Sequence, residues 1–136
     1  MSIVEIPLPL IRVRVPVRTG AGLNDRCHWR VRAKKTKEQR QATYWLLRHM
    51  EPAKESLLTV TLTRLAPSNG LDDDNLAGSL KAVRDGVADW LGIDDRDPRV
   101  KWAYGQRRDP VWGVEIEVRP MQGYTVGERH PSLEAA

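Results

Sequence analysis

The residues with the clearest chemical potential form an acidic segment between Asp72 and Asp97. Three consecutive aspartates, Asp72 to Asp74, open a run that suits a helix, and the pair Asp94-Asp95 follows that run. One aspartate is enough to cap a helix start, whereas a second and a third add mutual repulsion. Clustered carboxylates repel one another unless they share a cation, and oxygen ligands favour a hard ion such as Mg²⁺ or Mn²⁺. The segment therefore predicts a metal site suited to phosphodiester hydrolysis.

The helix between the two acidic groups places a lysine on the same face as carboxylates. At about 100° per residue, Lys81 and Asp85 lie within about 20° of the line of Asp74. The apolar residues from Leu76 to Leu91 occupy roughly the opposite face, which would anchor the helix. A lysine beside a metal can orient water or stabilise a charged phosphate. The alternative is that these charges form only a solvated acidic surface.

A basic segment precedes the acidic one. Residues 11–50 contain eleven Lys or Arg and two acids, whereas residues 70–97 contain eight Asp and three bases. This distribution is typical of an enzyme that holds a polyanion and acts on it with cations. We predict phosphate contacts from the basic side chains, with Trp29 either stacked on an unpaired base or packed in the core. The predicted DNA-binding residues are Arg26, Trp29, Arg30, Arg32, Lys34, Lys35, Lys37 and Arg40.

Hydrophobic periodicity predicts the elements that position these residues. An alternating strand at residues 11–15 is followed by a helix at 33–50, a strand at 56–65, a helix at 72–91, and a hairpin of strands at 100–106 and 111–118. The order β-α-β-α-β-β predicts a single α+β domain with two helices on a mixed sheet of about four strands. Residues 1–118 would form this domain and residues 119–136 a flexible C-terminal tail.

The first helix and the tryptophans give further expectations about packing. We predict that the apolar contacts of this helix are Ala42, Trp45 and Leu46, with Met50 at its end. Trp45 and Trp90 are expected in the core or at a dimer interface. The second helix is expected to bury its stripe of leucines and valines.

Composition narrows the class of protein. A chain of 136 residues with 29% charged residues fits one globular domain. No apolar run approaches the length of a membrane helix, and Glu5 interrupts the N-terminal apolar stretch, so no secretory signal is expected. The lone Cys27 cannot form an internal disulfide, which agrees with a reducing compartment. We therefore expect a cytoplasmic protein.

The acidic series resembles the RusA family of Holliday junction resolvases. The matching features are Asp72-x-Asp74-Asn75-Leu76, Lys81-Ala82-Val83 with Asp85, the pair Asp94-Asp95, and the upstream Asn24 and Trp29-Arg30. The resemblance covers roughly residues 16–118. It implies a homodimeric, Mg²⁺-dependent endonuclease, with Mn²⁺ as a substitute ion, that cuts four-way DNA junctions by paired nicks. Such enzymes often serve phage or prophage recombination.

Carried over residue by residue, the resemblance implies metal ligands at Asp72, Asp74 and Asp95 and a catalytic lysine at Lys81. Asp95 is preferred to Asp94 by its place in the pair, and Asp94 is the alternative. Asp85 and Asp94 are expected to support these side chains. In the family pattern the lysine follows the second motif aspartate by four residues, whereas here the gap is seven. Three extra residues are nearly one helical turn, so the lysine keeps its face and moves about 4.5 Å along the axis.

Three alternative functions stay open at the level of sequence. The same chemistry could act on flaps or replication forks instead of four-way junctions. A phage accessory protein of the same fold could bind DNA without cutting it. A binding module for a protein partner could use the basic segment to dock on an acidic surface.

Overall fold

Two helices and four strands make up the part of the chain that the computed structural model describes, residues 11–20, 28–50 and 57–120. They are β1 (Ile11–Val15), α1 (Trp29–Leu47), β2 (Leu58–Ala66), α2 (Asp73–Leu91), β3 (Val100–Arg108) and β4 (Gly113–Pro120). The predicted order and the α+β class, with two helices and a mixed four-stranded sheet, are confirmed. Neither described helix has the length and apolar character that crossing a membrane requires.

The predicted hairpin of the last two strands is wrong, because β2 lies between them. The strand order is β1-β4-β2-β3, in which β4 is antiparallel to β1 and β2 while β3 is parallel to β2. Residues 109–112 therefore cross the end of β2, a distance of about 10 Å between strands that flank a third. Asp109 N donates a hydrogen bond to Ala66 O at 3.0 Å at this crossing. The parallel β2–α2–β3 unit occupies one side of β2 and leaves the other side to β4.

One face of the sheet carries the core. Leu58, Val60 and Leu62 of β2 are at most 2% exposed and pack in one cluster with the apolar stripe of α2. This confirms the predicted stripe, whose members are Leu76, Leu80, Val83, Val87 and Leu91. The opposite face of the sheet carries partly exposed threonines and ion pairs such as Arg12 with Glu115. The alternation along β1, β4 and most of β2 thus separates an apolar inner face from a polar outer face.

Helix α1 begins four residues earlier than predicted, because His28 caps it. The His28 Nδ1 atom accepts a hydrogen bond from Arg30 N at 3.2 Å. The buried residues of α1 are Thr43 and Leu47, whereas Trp45 is 54% exposed and stacks against the Arg48 guanidinium. The core assignment of Trp45 is therefore wrong, whereas Ala42, Leu46 and Met50 pack against the core as predicted.

Trp90 lies in the core, and β4 extends into the predicted tail. Trp90 is 7% exposed and its Nε1 donates to Met50 O at 3.0 Å, which confirms its core position. Arg119 and Pro120, predicted as part of the tail, belong to β4, where Pro120 pairs with Leu58. The remaining predicted tail, residues 121–136, lies outside the described residues.

The two helices approach most closely at Gly86 of α2. A Cβ atom at this position would lie 2.6 Å from Arg40 O and 2.7 Å from Thr43 Cβ. Both contacts are shorter than real Cβ contacts allow, and one of them is to backbone. The absence of a side chain at Gly86 thus lets α1 lie directly on α2 and turns Thr43 inward.

We expect Gly86→Ala to lower the free energy of unfolding by about 1–3 kcal/mol, because the added methyl must push the helices apart. Urea denaturation of both proteins measures the difference. Gly105→Ala is the matched control, because its Cβ would meet Thr63 Oγ1 at an ordinary 3.5 Å. Equal stability of the Gly86→Ala variant and the wild type would contradict the close helix contact.

Candidate active site and nucleic-acid interface

The acidic motif begins α2 just beyond the carboxyl end of β2. Asp72 is the N-cap, and its Oδ1 accepts a hydrogen bond from Asn75 N at 2.9 Å. Asp73 and Asp74 follow in the first turn, and all three aspartates are exposed. In α/β folds, ligands bind outside the carboxyl ends of parallel strands, close to the helix starts. The motif therefore occupies a position that suits a reactive site.

Gln106 of β3 holds the loop that leads into this motif. Its Oε1 accepts a hydrogen bond from Leu71 N at 2.9 Å, and its Nε2 donates to Leu71 O at 2.7 Å. The residue next to Leu71 is Asp72, so the end of β3 fixes the position at which α2 starts. Sequence reasoning missed Gln106, because a glutamine near the end of a strand carries no signal of a contact 35 residues away.

Lys81 joins the two carboxylates on the flank of α2. Its Nζ lies 3.0 Å from Asp85 Oδ1 and 3.1 Å from Asp95 Oδ2. These contacts confirm that Lys81 and Asp85 share a face, and they raise the pKa of Lys81, with the hydrogen bond to Asp85 as the largest cause. The hydrogen bond from Lys81 in turn lowers the pKa of Asp95.

Arg84 adds a second cation beside Asp95. Its Nη2 donates to Asp95 O at 2.7 Å, its Nε lies 3.4 Å from Asp95 Oδ2, and its Nη1 donates to the Tyr104 hydroxyl. The Trp102 Nε1 also donates to Asp95 O at 3.0 Å. The neighbouring Asp94 is exposed, and its Oδ1 accepts a hydrogen bond from Arg96 N at 2.9 Å and lies 3.7 Å from Arg96 Nε. Of the pair, Asp95 is thus the residue that belongs to the Lys81 cluster.

The carboxylates that the resemblance implies as metal ligands suit Mg²⁺ by type, and one chain gathers only part of them. Asp74 and Lys81 are separated by a rise of about 10 Å along α2. Asp95 contacts Lys81 and Arg84 on the flank, away from the helix start. Within the described ranges, no three Asp, Glu, His or Cys side chains are close enough to share an ion. Asp72 and Asp74 therefore form one group and Asp95 another.

Ion pairing divides the acidic segment in the same way. Asp85, Asp89, Asp94, Asp95 and Asp97 all pair with Lys or Arg side chains. In the part of the chain that the structure describes, Asp72, Asp73 and Asp74 form no ion pair. These three adjacent carboxylates are consequently the uncompensated negative charge of the segment, and a cation would relieve their repulsion.

The first half of α1 is an exposed basic surface. Every residue from 28 to 38 is exposed, and Trp29 is 66% exposed, so core packing of Trp29 is wrong. The Arg30 guanidinium lies 5.2 Å from the Trp29 ring centroid. Trp29, Arg32 and Lys37 line one shallow pocket of about 460 Å³. The predicted DNA-binding residues Arg30, Lys34 and Lys35 are exposed on the same part of the helix.

Two of the predicted basic residues differ from this group. Arg40 forms a bidentate contact with Asp89, at 2.7 Å to each carboxylate oxygen, which ties α1 to α2. That contact raises the pKa of Arg40 and lowers the pKa of Asp89. Arg26, like the upstream Asn24, lies outside the described residues.

Comparison with known proteins identifies a relative of unknown activity. No protein-family model matches the chain. The chain is 37% identical over 79 residues to an uncharacterized protein of Xylella fastidiosa (strain Temecula1), a match that covers 54% of this chain and 52% of that protein. The chain thus spans about half the length of the curated relative that it matches, and the match assigns no activity.

Replacement of Lys81 should show whether its ion pairs stabilise the fold, and at which pH. The folded-state pKa of Asp95 is lowered, so its contribution to stability is present above the ordinary pKa of 3.8 and is lost as the pH falls through the lowered value. We expect Lys81→Met to cost about 0.5–1 kcal/mol at neutral pH and low salt, because the Lys81 side chain is 59% exposed and its ion pairs are screened by solvent. Well below pH 3.8 the cost should shrink.

Urea denaturation at both pH values measures the effect, with Lys101→Met as the control for removal of an exposed lysine. A cost for Lys81→Met that is the same at both pH values would contradict the role of Asp95.

We expect Gln106→Met to loosen the loop before Asp72, because both hydrogen bonds to Leu71 are lost. The free energy of unfolding should fall by about 1 kcal/mol, and the Leu71 amide should exchange with solvent faster. Hydrogen exchange followed by NMR measures the amide directly. Gln41→Met, an exposed glutamine on α1, is the matched control. Unchanged Leu71 exchange would show that Gln106 does not hold the loop.

Proposed function

We propose that the protein is a metal-dependent endodeoxyribonuclease that cuts branched DNA, with four-way junctions as the preferred substrate. The observation that carries the proposal is the group of uncompensated carboxylates, Asp72 to Asp74, at the start of α2. Lys81 and Asp95 lie on the flank of the same helix, and α1, whose first half is the basic surface, packs against it. The resemblance of these motifs to the RusA family supports the same function.

The chain's own residues suggest how the work is divided. Asp72 and Asp74 would hold Mg²⁺, or Mn²⁺ in its place. Asp95, the third ligand that the resemblance implies, would join them only by leaving its contacts with Lys81 and Arg84. The bound ion would supply an activated water and neutralise charge on the phosphodiester. Lys81 is positively charged at neutral pH, and its ammonium would stabilise negative charge on the phosphate oxygens. Asp85 orients Lys81 through the 3.0 Å contact.

The exposed Lys and Arg side chains of α1 would bind the phosphates of the DNA arms. Such contacts give affinity that depends on salt and little on sequence, which suits an enzyme that recognises the shape of a junction. Trp29 is exposed among these basic side chains, and its ring would stack on an unpaired nucleobase. Paired nicks need two active sites related by symmetry, so the proposal includes a homodimer. The enzyme would act in the cytoplasm, in DNA recombination and repair.

A second candidate function is junction binding without cleavage. Two cations, Lys81 and Arg84, already neutralise Asp95. The described residues of one chain also gather no group of three potential metal ligands. A phage accessory protein that retained the fold and the basic surface would show the same arrangement.

Cleavage of a labelled four-way junction tests both candidates. The substrates are the junction, a flap and a linear duplex of the same sequence, each with Mg²⁺, with Mn²⁺ and with EDTA. We expect symmetric nicks in the junction that require the metal ion. Cleavage of flaps at the same rate would broaden the substrate to branched DNA in general. Binding of the junction without cleavage in either ion would refute the nuclease and support the second candidate.

Asp74→Asn should slow cleavage more than about 100-fold. Loss of a residue that only supports a metal ligand costs at most about 100-fold, so a larger effect is expected for a ligand itself. Binding of the junction should be retained, because Asp74 is not part of the basic surface. Asp73→Asn is the matched control, since it removes the same charge from the adjacent position in the same turn. Full cleavage by Asp74→Asn would remove this residue from the site.

A further inference from the structure

Strand β2 carries an arginine, Arg64, two residues before its end and on the inner face of the sheet. Leu58, Val60 and Leu62 point inward, and Arg64 continues their alternation, with 4% of its surface exposed. Its Nε donates to Thr19 Oγ1 at 3.1 Å and its Nη2 lies 3.4 Å from Ser68 Oγ. Both partners are neutral hydroxyls, so neither compensates the positive charge of the guanidinium.

Among the described charged residues, Arg64 is the one that is buried, and it has no ion pair. Arg12, Arg14, Arg84, Arg99 and Arg107 each form an ion pair with a carboxylate. Over residues 11–20, 28–50 and 57–120, no carboxylate pairs with Arg64. Burial lowers the pKa of Arg64, which shows that the surroundings disfavour its charged form. A buried charge without a partner is costly, and a ligand that brings negative charge would relieve that cost.

Arg64 lines a cleft of about 850 Å³ between the segment after β1, helix α1 and the loop before α2. Arg18 and Lys35 line the same cleft, and neither pairs with a described carboxylate. The guanidinium groups of Arg18 and Arg64 lie 4.7 Å and 5.5 Å from the ring centroid of Trp112. Glu38 is the carboxylate in the described lining, and it lies 4.0 Å from Lys34. The cleft is therefore positively charged and holds a hydroxyl and an amide, Ser68 and Asn69, near its cations.

We infer that this cleft binds a phosphate group, with Arg64 at its base and Arg18 and Lys35 beside it. A guanidinium presents a planar fork of donors that matches two phosphate oxygens, and Trp112 braces two such groups. Leu71 also lines the cleft and directly precedes Asp72. A phosphodiester bound here would bring the adjoining strand to the acidic motif. The assignment of that phosphate to a DNA strand rests on the proposed function. A free nucleotide carries the same phosphate group and is the other source of it.

Fluorescence anisotropy in EDTA tests the cleft without any cleavage step. The ligands are a labelled four-way junction and labelled single-stranded DNA, titrated over a range of salt concentrations. The variants are Arg18→Ala, Arg64→Met and Arg64→Lys, with Lys101→Ala as the control, since Lys101 is exposed and does not line the cleft. Arg18 is exposed, so its variant should fold even if Arg64→Met does not.

We expect Arg18→Ala and Arg64→Met to weaken DNA binding on the order of tenfold at low salt, and to reduce the slope of log affinity against log salt by about one each. Arg64→Lys should recover part of the loss, because charge is kept and the fork is not. Lys101→Ala should bind like the wild type. Unchanged affinity and salt slope in Arg18→Ala and in a folded Arg64→Met would overturn a DNA strand as the ligand.

Calorimetric titration with inorganic phosphate and with a deoxynucleoside monophosphate tests whether the bound phosphate belongs to a free nucleotide instead of a DNA strand. Binding of these compounds that is lost in Arg18→Ala, with DNA binding intact, would support the phosphate site and assign it to a free nucleotide. No change for any phosphate ligand would overturn the site itself. Wild-type protein that binds DNA through the cleft and never cleaves it would refute the nuclease and leave this inference standing.

Discussion

The position of β2 between β3 and β4 is the constraint on which the rest of the structure depends. Because β3 is parallel to β2, the chain must cross over, and α2 makes this crossover on the face where Leu58, Val60 and Leu62 are buried. The same crossover places the start of α2 at the carboxyl edge of the two strands. On the other side of β2, antiparallel β4 brings in β1, and the segment after β1 reaches Arg64 at the same edge. The acidic motif and the basic cleft are therefore neighbours for a topological reason.

Most helices and strands could be predicted from the sequence, because the spacing of their apolar residues indicates which face is buried. The alternation in β1, β2 and β4 and the stripe of α2 both depend on one inner surface. The pairing of β3 and β4 could not be predicted. Two strands joined by four residues have the same sequence pattern whether they pair with each other or lie on either side of a third strand. One residue of the α1 face was misjudged: apolar character favoured Trp45, whereas the predicted contacts of Ala42 and Leu46 are present and the close approach at Gly86 adds Thr43 to the buried side.

The candidate site was predictable where its residues lie on one helix. Asp74, Lys81 and Asp85 follow from helix geometry alone, and the ion pair between the last two agrees with it. The contacts that hold the site in place join distant parts of the chain and depend on the register of β3. Gln106 reaches Leu71 only because it pairs with Arg64 across the sheet. Arg64 itself had a signal that passed unnoticed, a charge at the inward position of an otherwise apolar alternation.

Charge compensation separates the surfaces that hold the fold together from those left for a ligand. Along the flank of α2, Lys81 and Arg84 balance Asp85 and Asp95, so this surface is close to neutral in spite of its acidic sequence. A polyanion approaching the molecule therefore meets less repulsion there than eight aspartates would suggest. Over the described residues, uncompensated carboxylates gather at the start of α2, and the uncompensated cations Arg18, Lys35 and Arg64 gather in the adjoining cleft. A cation at the first and a phosphate at the second would each relieve a repulsion that the folded chain leaves in place, and the two together would bring a phosphodiester to a metal.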